Sequence, residues 1–194
     1  MSSQKIKCKT RCKWVTDDPL YIDYHDNEWG VPIYDERLLF EFLVLEGMQA
    51  GLSWFTILKK RDNYRKNFSN FEPKKIIRFD ENKIEKLLTD PGIIRNRLKV
   101  CSIITNARAF FEVEKEYGSF SEYIWGFVNG KPIKNGWQSF TEVPVSTAIS
   151  DSLSKDLKKR GFKFVGSTIM YAYMQAVGMV NDHTQDCFRY KQIK

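Results

Sequence analysis

Apolar residues recur at helical spacing through most of the chain from Asp35 onward, which predicts a largely helical protein. Asp35 is a suitable N-cap for a segment in which Leu38, Leu39, Phe42, Leu43 and Leu45 share a face, and that pattern lapses near Glu46 and Gly47. Ser53 can cap the next segment, with Trp54, Ile57, Leu58 and Arg61 along one side. Between them, Ala50-Gly51-Leu52 lacks the helix formers needed to run straight through. A tight corner is expected, with Glu46 on one wall and Trp54 on the other.

Glu72-Pro73 opens a short helix through Ile76, Ile77 and Phe79, and Ile84, Leu87 and Leu88 mark another before Asp90-Pro91-Gly92. Ile93, Ile94, Leu98, Cys101, Ile104 and Ala107 line one face of a longer helix towards Phe111, with Arg95, Arg97, Lys99 and Arg108 on a solvated face. Phe120, Tyr123, Ile124 and Phe127 give a further amphipathic turn or two. Ile149, Leu153 and Leu157 predict a helix closed by Lys158-Lys159-Arg160-Gly161, and Gly166-Ser167-Thr168 opens another through Ile169, Tyr173, Ala176 and Val177 to Gly178. Together these read as helix, short hairpin, helix. Residues 132–144 read as loop, and Cys12 to Trp29 as irregular structure with one helical turn after Pro19. No repeat, low-complexity tract or convincing strand series is present.

A chain of 194 residues fits one domain, or one unit with two lobes. No apolar run approaches the roughly 20 residues of a membrane span, and the basic amino terminus has no apolar region behind it, so a cytoplasmic protein without membrane contact is expected. Lys and Arg number 31 against 24 Asp and Glu, a net charge of +7. This surplus favours a polyanionic partner such as nucleic acid without establishing one. Cys8, Cys12, Cys101 and Cys187 do not form a secreted disulfide framework. Reduced thiols or metal ligands fit a chain of this size better.

Three groups of residues carry candidate chemistry. A carboxylate at Glu46, among Leu45, Met48, Leu52 and Trp54, is either a solvent-facing helix end or a group retained for chemistry, because burying a lone charge costs several kcal/mol or raises its pKa. Core packing explains Trp14, Tyr21, Tyr24 and Trp29 taken singly, but four of them beside such a carboxylate suggest a pocket wall. In the hairpin, the glycine-led helix start at Gly166 offers free backbone N–H groups beside Lys163, Lys159 and Arg160, which is either a phosphate seat or an ordinary charged tip. Each of the two histidines pairs with a cysteine, Cys12 with His25 and His183 with Cys187. The second pair, at i, i+4, would share a helix face. Two thiolates and two imidazoles suit a closed tetrahedral zinc site, and separate burial of the four stands as the alternative. Ser53 and Ser167 have no free histidine to activate them, and no phosphate-binding glycine motif is present, so no nucleotide cofactor is expected.

The segments CKWVTDDPLYIDYHDNEWGVP, LEGMQAGLSWFTILKKR, GIIRNR, LSKDLKKRGFKFVG and VNDHTQDC, in that order and over nearly the full length, resemble the 3-methyladenine DNA glycosylase I family, a zinc-bearing branch of the helix-hairpin-helix glycosylases. The resemblance implies an all-α, two-lobed fold forming a single unit over residues 1–194. One lobe would span 35–160; the other would join 1–34 to 161–194, with the hairpin at the junction. It implies a structural zinc on Cys12, His25, His183 and Cys187. It also implies a pocket for a flipped base built from Trp14, Tyr21, Tyr24, Glu46 and Trp54, with Glu46 the catalytic group. Gly51 and Leu52 would meet DNA at the corner, Leu52 as a wedge, while Lys163, Gly166 and Ser167 would hold a backbone phosphate. Met48 stands where relatives can carry a polar residue. Asp182 falls near the place where many helix-hairpin-helix glycosylases keep a catalytic aspartate, which the branch resembled here does not use.

The expected activity is excision of 3-methyladenine from alkylated double-stranded DNA by a monofunctional, monomeric enzyme, cytoplasmic and associated with the nucleoid when acting. The competing classes are a DNA-binding module without turnover and a zinc-stapled interaction domain, which would show no salt-dependent DNA affinity.

Overall fold

The computed structural model describes residues 9–193; Cys8 and the basic residues before it lie outside them. The chain is mostly helical, as the periodicity implies, and it is organised around α2 (Glu36–Gln49). Asp35 caps this helix, its carboxylate accepting from the Leu38 N–H at 2.8 Å. Every residue from Leu39 to Met48 is buried, so α2 is enclosed on all sides rather than amphipathic. Glu41 in its middle accepts from Arg61 at 2.5 Å and Arg65 at 2.7 Å, which offsets the cost of burying that carboxylate. The helix does not end near Glu46 as its sequence suggests. It runs on to Gln49, and the chain then turns through Gly51 at φ +76°. Glycine adopts this φ without a Cβ penalty, so the corner forms one turn later than the apolar pattern implies.

Around α2 pack α3 (Trp54–Leu58), α7 (Arg97–Tyr117), α8 (Phe120–Gly126) and α10 (Ser167–Ala176). Glu36 crosses to α8, where its carboxylate accepts from the Phe120 and Ser121 N–H groups, both at 2.8 Å. The register of α7 differs from the sequence expectation. Asn96 caps it, its side chain accepting from Lys99 N–H, so Ile93 and Ile94 precede the helix. The buried face is then Val100, Ile103, Ile104, Ala107, Phe110 and Val113, while Leu98 is 75% exposed. Lys99, assigned to the solvated face by sequence, is instead buried.

The remaining α-helices among the described residues are α1 (Pro19–Asn27), α4 (Arg61–Asn67), α5 (Pro73–Ile76), α6 (Glu81–Thr89) and α9 (Ala148–Lys159). Helices α9 and α10 pack against each other across a short connection in which Gly161 (φ +93°) and Phe164 (φ +56°) turn the chain. Asn106 of α7 fixes the tip of that connection from both sides: its Nδ2 donates to Lys163 O and its Oδ1 accepts from Lys163 N–H. A Cβ on Gly47 would lie 3.3 Å from the Phe164 Cβ, so the absent side chain lets the hairpin approach α2 beside Glu46.

Two departures lie in segments read as non-helical or helical by spacing. Residues 132–144 include β1 (Ile133–Lys134), which pairs in parallel with β2 (Val180–Asn181), Ile133 facing Val180. His183 and Cys187 do not share a helix face, because Gly178 at φ +75° ends the helical run and the tail continues as strand and turns. At Gly178 a Cβ would fall 2.4 Å from Pro32 N and Val31 C. Gly178→Ala therefore combines left-handed strain with backbone overlap, and should destabilise the protein on the order of 3 kcal/mol in chemical denaturation. A variant as stable as wild type would show that the two segments do not pack this closely.

Candidate functional site

Two cavities meet at the carboxy-terminal end of α2. The first, of about 250 Å³, is lined by Trp14, Tyr21, Tyr24, Trp29, Glu46, Gln49, Trp54, Phe140, Ala172 and Gln175. Its residues come from the amino-terminal segment, from α2 and α3, from the loop before α9, and from α10. The second, of about 210 Å³, shares Glu46, Gln49 and Ala172 with the first and adds Ala50, Gly51, Leu52, Thr168 and Ile169.

Aromatic rings form most of the first wall. Trp14 is the hub, with ring centroids 5.0 Å from Tyr21 and from Trp29 and 6.4 Å from Tyr24. Tyr24 lies 5.2 Å from Trp54, which closes the opposite side. Their π faces present an electron-rich surface suited to a cation or a flat heterocycle.

Glu46 is 3% exposed, and its Oε2 is enclosed with no hydrogen-bond partner. The indole N–H groups of Trp14 and Trp54 are also buried and unpaired. Desolvation, with nothing opposing it, pushes the Glu46 carboxyl up to about 8. An acid of this kind is neutral at pH 7 and ionises when a positive charge arrives beside it. The exposed helix-end reading of Glu46 is thereby excluded. By contrast Glu41, one and a half turns earlier, is held below the ordinary carboxylate range because Arg65 and Arg61 more than offset its desolvation.

The corner after Glu46 is held by a residue with no sequence signature. Lys99 Nζ donates at 2.7 Å to both Met48 O and Ala50 O, satisfying carbonyls at the end of α2. Beyond it Leu52 is 41% exposed, a large apolar side chain held out from the corner. Met48 is buried in the core and lines neither cavity, so its side chain forms no part of the cavity wall. Lys163 is exposed at the hairpin tip. Gly166 is the N-cap of α10 and supplies no side-chain cap, while Ser167 Oγ hydrogen-bonds to Asp151 and Ser150.

Behind the aromatic wall, Cys12, His25, His183 and Cys187 are all buried, with one ligand atom each and all four atoms within 4.8 Å of one another. His25 Nδ1 is engaged by Asp26 at 2.8 Å, leaving Nε2 towards Cys187 Sγ at 3.4 Å. His183 Nε2 faces the Trp29 carbonyl at 3.1 Å, leaving Nδ1 3.5 Å from each sulfur. Each imidazole thus has its outer nitrogen occupied and turns its inner one towards the sulfurs, the arrangement in which a ring nitrogen could ligate a metal ion; His25 Nε2 also accepts from the Cys12 backbone N–H at 3.4 Å. The proximity of the two thiols raises that of Cys12 and lowers that of Cys187. The group can hold a metal, and it leaves no open side for a substrate.

The family model described as methyladenine glycosylase matches residues 14–190. The chain belongs to the methyladenine glycosylase family. It is 54% identical over 180 residues to DNA-3-methyladenine glycosylase 1 of Escherichia coli strain K12, covering 93% of this chain and 96% of that one. The crystal structure of a 3-methyladenine DNA glycosylase I superposes with a TM-score of 0.90 at 55% identity, covering 92% of this chain and 98% of that one. A variant of another 3-methyladenine DNA glycosylase I, solved in complex with 3-methyladenine, gives 0.89 at 39% identity and covers 92% and 96%.

The tertiary structure also brings Gln49, Trp29, Phe140, Ala172 and Gln175 to the cavity. Only Trp29 had a signal, as part of the aromatic cluster; the others are single residues of types common on helix surfaces and in loops. The Glu46 carboxyl has a measurable consequence for stability. Between about pH 4.5 and 8 the folded protein keeps a proton that the unfolded chain has lost, so this group's contribution to stability falls as pH rises through that window and levels off above it. Glu46→Gln keeps the shape and removes the titration. Urea unfolding should show the variant gaining on wild type between pH 5 and 8, with a limit on the order of 4 kcal/mol; a pH-independent difference would mean that Glu46 is not buried unpaired.

Proposed function

We propose that the protein is a monofunctional DNA glycosylase that flips 3-methyladenine out of alkylated double-stranded DNA and hydrolyses its glycosidic bond, leaving an abasic site. The observation that carries this reading is the neutral, unpaired Glu46 carboxyl inside an aromatic cavity. An alkylated adenine is cationic and its bond to deoxyribose is already weak, so the enzyme's main task is selection. Flipping costs a few kcal/mol, less for a damaged base. The rings of Trp14, Tyr24 and Trp54 would each contribute roughly 0.5 to 2 kcal/mol towards a cation, and Tyr21 adds to the same wall. As the catalytic group, Glu46 would lose its proton on meeting that cation and accept from the base's amino group, an interaction a neutral adenine would make more weakly. Indole N–H groups in the same cavity offer donors to ring nitrogens.

In this reading the second cavity receives the sugar side of the flipped nucleotide. Leu52, projecting after Gly51, plugs the gap in the duplex, as apolar side chains do at unstacked steps. Helices α9 and α10 act as the helix-hairpin-helix element. Lys163, the free backbone N–H groups after Gly166, and Ser167 meet one phosphate. The surplus of 31 − 24 positive charges supports a DNA partner. A monomer suffices, since one chain supplies the whole cavity; a cytoplasmic, nucleoid-associated location follows from the substrate, and no helix among the described residues is long and apolar enough to cross a membrane.

The metal we propose is zinc, one per chain and structural. Zinc with two sulfur and two nitrogen ligands would need S···N separations of about 3.5 Å; three of the four pairs stand at 3.4 to 3.5 Å, and all four ligand atoms lie within 4.8 Å of one another. Bound zinc would supply a cross-link between the amino-terminal segment and the tail. Elemental analysis of protein purified without chelators should give one zinc per chain, and Cys187→Ser should lose it together with thermal stability; zinc-free wild-type protein of full stability refutes the assignment.

The enzymatic reading is tested on DNA treated with a methylating agent. Chromatography should show release of free 3-methyladenine without strand breaks. Glu46→Gln should lower the rate about 10- to 100-fold, the worth of one charge-assisted hydrogen bond. Tight binding of the alkylated duplex with no base released would favour a DNA-binding module instead.

A further inference from the structure

Asp182 is 1% exposed and lines neither cavity, so it does not reach a reacting atom. Its carboxylate is instead the centre of a four-donor network. Oδ1 accepts from Asn135 Nδ2 at 2.6 Å and Trp137 Nε1 at 2.8 Å. Oδ2 accepts from the Tyr171 hydroxyl and from Gln175 Nε2, both at 2.7 Å. Two of these donors lie on α10 and two on the segment around β1, so the acceptor capacity of a carboxylate is fully used by groups from separate parts of the chain. A satisfied buried network of this kind fixes the orientation of its members.

The member with a second role is Gln175. Its backbone carbonyl accepts from Gly30 N–H at 3.0 Å, and its side chain lines the cavity beside Glu46, Tyr24 and Trp29. The two ends of its amide are not interchangeable here. Turning Oε1 towards Asp182 would set two acceptors against each other, so Nε2 is committed to the carboxylate and Oε1 is the amide atom left for the cavity.

We propose that Gln175 Oε1 is a fixed hydrogen-bond acceptor for the amino group of the base in the cavity, and that Asp182 is the positioning residue that holds it so. This rests on the glycosylase reading above and adds a residue to it. With Glu46 as the other acceptor, the cavity favours an amino-bearing ring over one without that group. An amino group carries two hydrogens, enough for one to each acceptor. Asp182 thereby acts on selection through Gln175, without touching the base.

The test uses the full-length protein and two free bases as probes, 3-methyladenine and 3-methylpurine, which lacks the amino group. Binding is read by quenching of tryptophan fluorescence. Wild type should prefer 3-methyladenine, and Gln175→Leu should narrow that preference about 5- to 10-fold, with little change in 3-methylpurine affinity. Asp182→Asn should narrow it similarly, with the double variant no worse than either single one, because both changes remove the same acceptor. Metal content and thermal midpoint are measured alongside. Should Asp182→Asn fail to fold, the Gln175→Leu ratio alone decides. Wild-type protein that prefers 3-methyladenine and a Gln175→Leu variant with the same ratio overturn this proposal and leave the glycosylase reading standing. Wild type that binds neither probe overturns both.

Discussion

A carboxyl group buried without a partner governs the architecture around it. Glu46 sits in the last turn of a helix enclosed along its length, and no cation or donor compensates its desolvation. Such a group is tolerated because it stays neutral, and the surrounding structure keeps it from water. Asp35 caps the start of α2, Glu41 anchors its middle to Arg61 and Arg65, and Lys99 ties off its end. Of the two buried carboxyl groups on this helix, Glu41 is fully met and Glu46 is left without a partner. In the proposed function, the missing partner is the positive charge of the substrate.

The opposite wall depends on a different device. Residues 9–34 contain one short helix and much irregular chain, too little to form a core of their own. They are held from behind by contacts to the tail. Trp29 gives its carbonyl to His183, whose ring lies edge-on to the indole at 4.6 Å, and Trp14 lies 5.3 Å from the ring of His25. Gly30 N–H donates to Gln175 O, and Gly178 lets the chain after α10 pass against Val31 and Pro32. The four candidate metal ligands and the aromatic cavity are therefore consecutive layers of one structure. Loss of the ligand cluster would disturb the cavity even though no ligand atom faces it.

Buried polar groups fall into two sets with different physical meaning. Glu41, Asp182, Lys99 and Asn106 each make two or more hydrogen bonds and act as joints between elements. Glu46 Oε2 and the indole N–H groups of Trp14 and Trp54 are unmet and belong to residues that line one cavity, while Tyr173 Oη and Arg189 Nε are unmet elsewhere. An unmet buried group costs about 1–3 kcal/mol. Three of them in one place mark where the fold gives up stability, and the proposed function gives that loss a use.

The sequence alone carried the helical character, the caps at Asp35 and Ser53, the glycine-led start of α10, and the pairing of two histidines with two cysteines. These are legible because capping and periodicity are local properties, and because only two histidines had to be placed. It also collected Trp14, Tyr21, Tyr24 and Trp54 around Glu46 as a candidate set. Tertiary structure alone decided that Glu46 is enclosed rather than exposed, since that depends on how Phe164, α10 and the aromatic segment close over it. It decided that Lys99 turns inwards, because the Asn96 cap sets a register the apolar pattern does not reveal. It decided that His183 and Cys187 converge through a turn instead of a helix face, and that Asp182 meets Gln175 from separate stretches of chain. Local sequence encodes where a helix begins; which of its polar side chains loses water depends on neighbours far along the chain.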